Sequence, residues 1–574
     1  MLELKSCPKG YTLSQDKAVP PAETAALVLR ALGPDGAGVL EEIRRIDTGR
    51  LGIPVYVSVT SALARRVMPT RKQMGKGSSP EQAEASALME LAERFSFFGY
   101  FADETNFTRA TWSEAEALWP ESLIPLAEIA RSVDDDLSES DARRLMDLIS
   151  WRFAPVLDVT RGREVYAPMD WFKTLNEFNG SSAGNTPEES ILQGACELIE
   201  RHVSALADRD KPELPTIRPE TADPVLAGLI RAFEDNGVKI VLKDMSMNMP
   251  APTVGALAWD PSTFPAKSEI VFTAGTASSP IKAAIRALTE VAQLGGDFES
   301  GSNYEASGLP KYGDLSEAAW LLKGPETGLD SLPSMESGDF LTEINHLCRG
   351  LILQGYGLYT ADLTRPDLNI PANYNFVPGF AFRERAAAAS LGLFTGRALA
   401  ENAEPLEALA GLEVIGEIYP NAHFLPFYRG LATLNMGDAE GALEYFAAAQ
   451  NAAEDTEDRA LAAFYRAYAL SSLERWAEAG PHLDQAVSLD PGTKEYLNLR
   501  GVARFKAGEF EAAAADFTAA LDLDSGSATD LANLGLCFKR LGRAADAIHC
   551  LGKALEIDSE LDFARRELEE LIGG

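Results

Sequence analysis

The amino-acid sequence predicts an α+β domain followed by an all-α array of helical repeats. Two observations carry this. Through about residue 380, short β-branched runs alternate irregularly with amphipathic helical patterns. From about Phe382 alanine rises and the pattern is helical throughout. Small residues recur there at Gly430, Ala467, Gly501 and Gly535, separated by 37, 34 and 34 residues. The expected divisions are a mixed domain over residues 1–385, a helical connector or degenerate repeat over 386–422, and repeats over 423–574.

In chain order, Lys17–Thr24 leads into a helical pattern over Ala25–Leu32, and Ile53–Thr60 has strand composition. Gly75-Lys76-Gly77 makes a turn. Ser78 or Ser79 then suits the cap of a helix beginning at Pro80, where a first-turn proline is tolerated. Residues 103–150 carry no motif. The run Asp134–Asp136 with Glu139 and Asp141 lacks the glycine and closing glutamate of a calcium loop and reads as a solvated stretch. Strands are expected at Phe153–Val159, Glu164–Ala167, Lys239–Lys243, Thr253–Trp259 and Ile270–Gly275. A second Gly/Ser/Asn turn, Asn179–Thr186, precedes a helix running to His202, and a third helix is expected over Pro280–Gln293. Residues 296–340, rich in Gly, Ser, Pro and acids, read as a loop, lid or insertion. Gly357–Thr364 gives a strand, and Asn375–Gly379 closes the domain.

The two helices after the Gly/Ser turns carry the chemistry. At 100° per residue with Ser86 at zero, Glu90 lies at roughly 40° and Glu93 at roughly −20°, one stripe opposite Leu88, Leu91 and Phe95. An acidic stripe alone is an ordinary solvated helix face. The second helix, however, repeats the pattern: Gly194–Arg201 aligns without a gap to Ala87–Arg94, and both contain Glu-Leu-x-Glu-Arg. On it Glu189, Glu197 and Glu200 fall within about 80° of each other. Two facing rows of carboxylates beside glycine- and hydroxyl-rich turns make sense with Mg²⁺ between them and phosphates at the helix starts. On the third helix Arg286 and Glu290 stand at i and i+4, the spacing of a surface ion pair.

At these residues the chain resembles the YcaO family. The matching features are Gly75-Lys76-Gly77, Ser86-Ala87 with Glu90 and Glu93-Arg94, Asn179-Gly180 through Gly184-Asn185-Thr186, Glu197 with Glu200-Arg201, Arg286 through Glu290 and Gln293, and Val377-Pro378-Gly379. They span roughly residues 10 to 385. The resemblance implies a YcaO-like mixed α/β domain that binds ATP and Mg²⁺. It implies metal-holding roles for Glu90, Glu93, Glu189, Glu197 and Glu200. It places Ser86, Ser182, Asn185, Arg201, Arg286 and Glu290 around the nucleotide, with Lys17 and Thr24 nearby. Family members activate a peptide backbone amide by phosphorylating its oxygen. A side-chain nucleophile then gives an azoline and external sulfide a thioamide; other members assist ribosomal protein methylthiolation.

Composition narrows the alternatives. The 574-residue chain carries a net charge of −34 with a pI near 4.6, so nucleic acid and anionic membranes are not expected partners. Five scattered cysteines without a CxxC pair suit reduced thiols in a cytoplasm. The start MLELKSCPKG has no apolar signal core, and no long apolar run suggests a membrane span. No Walker A, GxGxxG or HExxH pattern occurs. Gly180–Gly184 matches GxSxG, but Trp171–Phe178 does not read as the strand a nucleophile elbow needs.

In the C-terminal region alanines follow each repeated small residue by twelve (Ala442, Ala479, Ala513, Ala547), and large apolar residues by sixteen (Phe446, Leu483, Phe517, Leu551). This is the tetratricopeptide pattern, suited to docking a protein partner or a second copy of the chain. Packing is the expected role of His549, Cys550 and Cys537. The chain ends in Glu567–Gly574 after the repeats, where azoline-forming members carry a proline-rich tail. The expected function is therefore ATP- and Mg²⁺-dependent amide activation, as in thioamidation, on a peptide or protein substrate. The alternatives are an ATP-binding accessory factor of methylthiolation and a purely docking protein with a degenerate first domain.

Overall fold

The computed structural model describes residues 2–573 apart from 48, 134, 266–267, 295–311, 384–388 and 525. Chain contacts divide it into two compact bodies, residues 1–139 with 150–389, and residues 140–149 with 390–574.

Three sheets build the first body. β1 (Leu40–Arg45), β2 (Val55–Thr60) and β3 (Lys72–Lys76) form an antiparallel sheet with β3 at its edge. β4 (Thr108–Ala110), β5 (Trp151–Asp158), β6 (Arg163–Pro168) and β7 (Ser181–Ala183) belong to a second sheet that β13 (Tyr359–Asp362) and β14 (Ala372–Phe376) complete. β8 (Thr216–Ile217), β9 (Lys239–Asp244), β10 (Thr253–Trp259), β11 (Val271–Thr276) and β12 (Glu326–Thr327) form the third. Only β8 and β12 run parallel in it; β7 and β11 are edges of their sheets.

The strands and helices expected from the sequence are present, the strands with bounds shifted by one or two residues; the first helix starts at Pro21 rather than Ala25, and the one after the second Gly/Ser/Asn turn runs eight residues past His202, to Asp210. β1, β3, β4, β7, β8, β12 and β14 were not anticipated as strands: β1 is charged with no buried residue, and Gly75-Lys76 and Ser181–Ala183, read as parts of turns, lie in β3 and β7. Trp171–Phe178 lies largely within a helix, Met169–Asn176, which removes the strand a nucleophile elbow requires. Residues 296–311 of the anticipated loop lie outside the described residues.

Each of the three edge strands runs through a three-residue turn into a helix whose first residue is proline: β3 to Pro80–Ala102, β7 to Pro187–Asp210, β11 to Pro280–Leu294. Ser79 and Thr186 cap the first two, accepting from the Gln82 and Glu189 amides. The strand lies hard against the helix it feeds. A Cβ on Gly75 would collide with the Ala83 carbonyl and the Ala87 amide, and one on Gly275 with the Ala283 carbonyl and the Ala287 amide. At the second module the small residue sits on the helix: a Cβ on Gly194 would meet Ser182 Oγ at 2.6 Å. Each helix also packs on the strand of the next module, Pro80 helix on β7, Pro187 helix on β11, Pro280 helix on β3, closing a ring. Outside the ring, Ile191, Leu198, Ile199 and Val203 of the Pro187 helix anchor one apolar core, and Ala284, Ile285 and Leu288 of the Pro280 helix another.

The second body is helical from Leu391 to Gly573 among its described residues. Residues 391–418 form two helices, Leu391–Asn402 and Pro405–Ile418, ahead of the repeats. The repeat pattern has the expected cause: a Cβ on Gly430, Gly501 or Gly535 would meet Phe446 at 2.8 Å, Phe517 at 2.9 Å or Leu551 at 2.8 Å. Segment 140–149, without a motif in sequence, joins this body, where Arg144 pairs with Glu417 at 2.6 Å.

The close approaches predict opposite responses to the same substitution. Gly75→Ala should cost about 1–3 kcal/mol by overpacking. Gly228→Ala, inside the helix Pro224–Asp235 with open space around a new Cβ, should stabilise by about 0.5–1 kcal/mol through helix propensity. Denaturant melts of both variants check this.

Candidate nucleotide-binding site

Because the three helices enter in one register, equivalent residues converge. Counting from each first proline, the sixth residue is Ser86, Gln193 or Arg286, the tenth Glu90, Glu197 or Glu290, and the thirteenth Glu93, Glu200 or Gln293. All nine line one cavity of about 340 Å³. In sequence the third module was joined to the other two by the family resemblance and not by its register. Its register with the first, Gly275 to Gly75 and Pro280 to Pro80, was the signal that would have joined it to the others.

Across the ring, a carboxylate of each helix meets the next strand. Glu93 Oε1 accepts from Ser181 Oγ at 2.6 Å and Glu200 Oε2 from the Thr276 amide at 2.8 Å, while Glu290 pairs with Lys76. Arg94 joins Glu93 at 2.7 Å and Glu90 at 3.6 Å, Arg201 joins Glu197 at 3.5 Å, and Arg286 lies 4.0 Å from Glu200. Arg286 also donates to Gln193 Oε1 at 3.2 Å, and its buried Nε has no hydrogen-bond partner. The bland alternative for Arg286 and Glu290, a surface ion pair, does not hold, since the two side chains reach different modules. Burial pushes Glu93 up to about 8 against the pull of Arg94, helped by Glu197 and Glu90. Glu90 is raised by burial, which outweighs Arg94 and Lys76. Burial lowers Lys76 to about 8, with Arg286 acting the same way.

Most of the residues expected at the site line this cavity: Lys17, Thr24, Ser86, Glu90, Glu93, Glu189, Glu197, Glu200, Arg201, Arg286 and Glu290. Two expectations are placed differently. Ser182 lies in the strand–helix seam against Gly194, within hydrogen-bond distance of Ser190 Oγ and Asn375 Nδ2, because the strand turns that position toward the helix it feeds. Its neighbour Ser181 faces Glu93 instead. Asn185 acts behind the lining, accepting from Thr24 Oγ1 at 2.9 Å and donating to both Glu189 oxygens at 3.0 Å.

Glu189, only 2% exposed, has both oxygens engaged in this way, and also meets the Ala18 amide at 2.8 Å and Lys17 at 3.3 Å. It is one of three equivalent residues, second after each proline, that grip the arm 14–18. Gln82 accepts from Ser14 Oγ at 3.1 Å, and Lys282 donates to Asp16 at 2.7 Å. Among the described residues no three His, Cys, Asp or Glu side chains are gathered as a finished metal site. Lys76, Arg94 and Gln193 were not singled out as site residues. Lys76 was legible in the alternation of β3, where Gln73 and Gly75 are buried and Lys76 between buried neighbours takes the other face.

The donor set fits Mg²⁺ and a polyphosphate. Hard oxygen ligands are present in excess, two of them destabilised as anions by burial, among side-chain cations able to take phosphate oxygens. A ring of three strand–turn–helix modules around such a cavity defines an α+β domain that binds a metal–polyphosphate ligand. The chain belongs to the YcaO family: the family model, YcaO cyclodehydratase, ATP- and Mg²⁺-binding, matches residues 74–381, more than half its length. ATP and Mg²⁺ are its cofactors. A tetratricopeptide family model matches residues 531–561.

Among curated relatives, an uncharacterized protein of Methanothermobacter thermautotrophicus is 29% identical over 376 residues, 63% of this chain and 94% of that one. The ribosomal protein S12 methylthiotransferase accessory factor YcaO of Escherichia coli is 31% identical over 210 residues, 33% of this chain and 35% of that one. A solved heterocyclase in complex with substrate and cofactor shares the fold at TM-score 0.52 and 22% identity, over 66% of this chain and 54% of that one. Among the described residues no helix is long and apolar enough to cross a membrane, and the five cysteines are free.

The raised acid sets a pH dependence. With its folded pKa above the ordinary 4.5, Glu93 contributes stability that is full below about 4.5 and lost as pH rises through about 8. Lys76 works in the opposite sense at higher pH, its contribution being lost as pH falls from about 10.5 through about 8. Without ligand, melting temperatures taken from pH 5 to 8 should fall in the wild type and fall less in Glu93→Gln. Parallel curves would place Glu93 outside a charge-strained site.

Proposed function

We propose that this protein uses MgATP to activate a backbone amide of a peptide or protein, with a thioamide as the product. The observation that supports this reading is the pairing of each cavity carboxylate, Glu90, Glu93, Glu189, Glu197, Glu200 and Glu290, with a cationic side chain. Such pairs exchange partners when a metal and a polyphosphate enter together. Glu90, Glu93, Glu197 and Glu200 would hold Mg²⁺, leaving Arg94, Arg201 and Arg286 for phosphate oxygens. ATP supplies the phosphoryl group that turns the amide oxygen into departing phosphate, so that sulfide, added to the carbonyl carbon and stripped of its proton, stays as the thioamide sulfur and ADP is released. Arg286, with its Nε unpartnered, is the residue we assign to the terminal phosphoryl group. Lys17, Thr24, Asn185 and Glu189 fix the arm that closes the cavity, and Ser86 and Gln193 offer polar contacts on the level of Arg286. The helical repeats serve to dock a protein partner, the substrate or a second copy of the chain, in a cytoplasmic setting.

A second reading rests on the Escherichia coli relative, whose name is that of a methylthiotransferase accessory factor. Under it the chain binds ATP and hydrolyses it only beside a partner. Calorimetry with a non-hydrolysable ATP analogue tests what both share. Binding should require Mg²⁺ and weaken by about tenfold or more in Glu200→Gln and in Arg286→Ala, the loss expected for a buried charge-assisted contact. Mg²⁺-independent binding, or full affinity in both variants, would remove the nucleotide from this cavity. ADP release by the isolated protein on adding a peptide and sulfide separates the first reading from the second.

A further inference from the structure

Gln82 differs from its two equivalents. Glu189 and Lys282 have their charged ends occupied by the arm. Gln82 has only its oxygen occupied: Oε1 accepts from the Ser78 amide at 2.8 Å, Ser78 Oγ at 2.9 Å and Ser14 Oγ at 3.1 Å. A peptide N–H can only donate, so this contact fixes the oxygen end of the side-chain amide, and the NH₂ end must lie opposite. Gln82 is 3% exposed and lines the cavity, yet Nε2 is buried with no hydrogen-bond partner. A buried amide donor in a fixed orientation without a protein acceptor is costly, and at a cavity lining it is open to an accepting atom of water or of a ligand.

The surroundings say what kind of ligand atom. Uncharged residues contribute to this lining, Pro21 and Thr24 from the helix Pro21–Leu32 and Ala85 and Met89 along the Pro80 helix, beside Lys17 and Glu189 at the arm. Along the Pro80 helix the charged residues Glu90, Glu93 and Arg94 follow about two to three turns after Gln82. The uncharged members of the lining can take the faces of a flat ring, and the arginines and carboxylates can take phosphates and their metal.

We propose that Gln82 selects the base of the nucleotide, donating from Nε2 to the unprotonated ring nitrogen N1 of adenine. Guanine carries a hydrogen on that nitrogen and would set donor against donor. The assignment rests on the ATP reading above and adds to it the residue that sets nucleotide specificity. A site that fixes a donor in this way rejects an analogue lacking the acceptor, because the donor then stays unpaired.

The test measures binding of non-hydrolysable ATP and GTP analogues and of tripolyphosphate, all with Mg²⁺, to the full chain. The wild type should prefer the adenine analogue by about tenfold or more. Gln82→Met, similar in volume but without a donor, should lose that preference and keep wild-type affinity for tripolyphosphate. Gln82→Glu retains an acceptor for Ser78 and Ser14 and should shift the ratio toward guanine. Melting curves of both variants establish folding. A wild-type adenine-to-guanine ratio preserved in both folded variants overturns the assignment, as does an equal loss for the two nucleotides, which would make Gln82 a contact to the sugar. Wild type that binds tripolyphosphate but neither nucleotide also overturns it. Binding of none of the three ligands overturns the ATP reading itself.

Discussion

The first body depends on how closely three edge strands lie on the helices they feed. At Gly75 and Gly275 the strand touches helix backbone with no room for a side-chain carbon, and at Gly194 the helix gives up its own Cβ to admit Ser182. Such contact leaves no freedom to rotate or slide the helix. The register after each proline is then fixed, and with it the face that each helix shows to the next strand. The convergence of nine side chains on one cavity follows from three steric seams, not from interactions among the nine.

Those nine do not favour one another's company. Glu90, Glu93, Glu197, Glu200 and Glu290 sit within a partly enclosed space, and Glu93 and Glu90 are pushed toward their neutral forms. Buried ion pairs repay their desolvation poorly, so a cluster of them is weak evidence for stability. It is better understood as stored affinity. The seams hold the charges together, and ligand binding recovers what desolvation cost.

The fold was legible to the degree that it rests on local chemistry. A first-turn proline after a small or hydroxyl-rich turn marked the three helix starts, and β-branched runs marked the central strands. β1 was hidden because an edge strand facing solvent needs no apolar pattern. In the site, the acidic stripes of the Pro80 and Pro187 helices were visible from their shared Glu-Leu-x-Glu-Arg. The Pro280 helix lacks that motif, so its place in the ring emerges only from the position of its glycine and proline. Ser182 and Ser181 show the limit of residue type as a signal: both are buried hydroxyls in one short strand, and alternation alone decides which meets the carboxylates. The coupling of residues 14–18 to all three helices is tertiary and left no trace in sequence.

A frame built from three like modules presents a problem that the sequence resolves by substitution. An ATP molecule has one base, one sugar and one chain of phosphates, and equivalent surroundings would offer it three indistinguishable poses. The levels are accordingly filled unequally. The sixth position holds serine, glutamine and a single arginine; the thirteenth holds two glutamates and a glutamine; the second holds glutamine, glutamate and lysine. The residues that keep the frame, the cap, the proline and the small residues at the seam, are those that stay alike. Those that line the cavity are the ones that diverge, apart from the shared glutamate at the tenth position, which every module contributes to it. Under the proposed ATP reading, the differences between modules would orient the nucleotide, while the common glutamates need only be close enough together to compete for a cation.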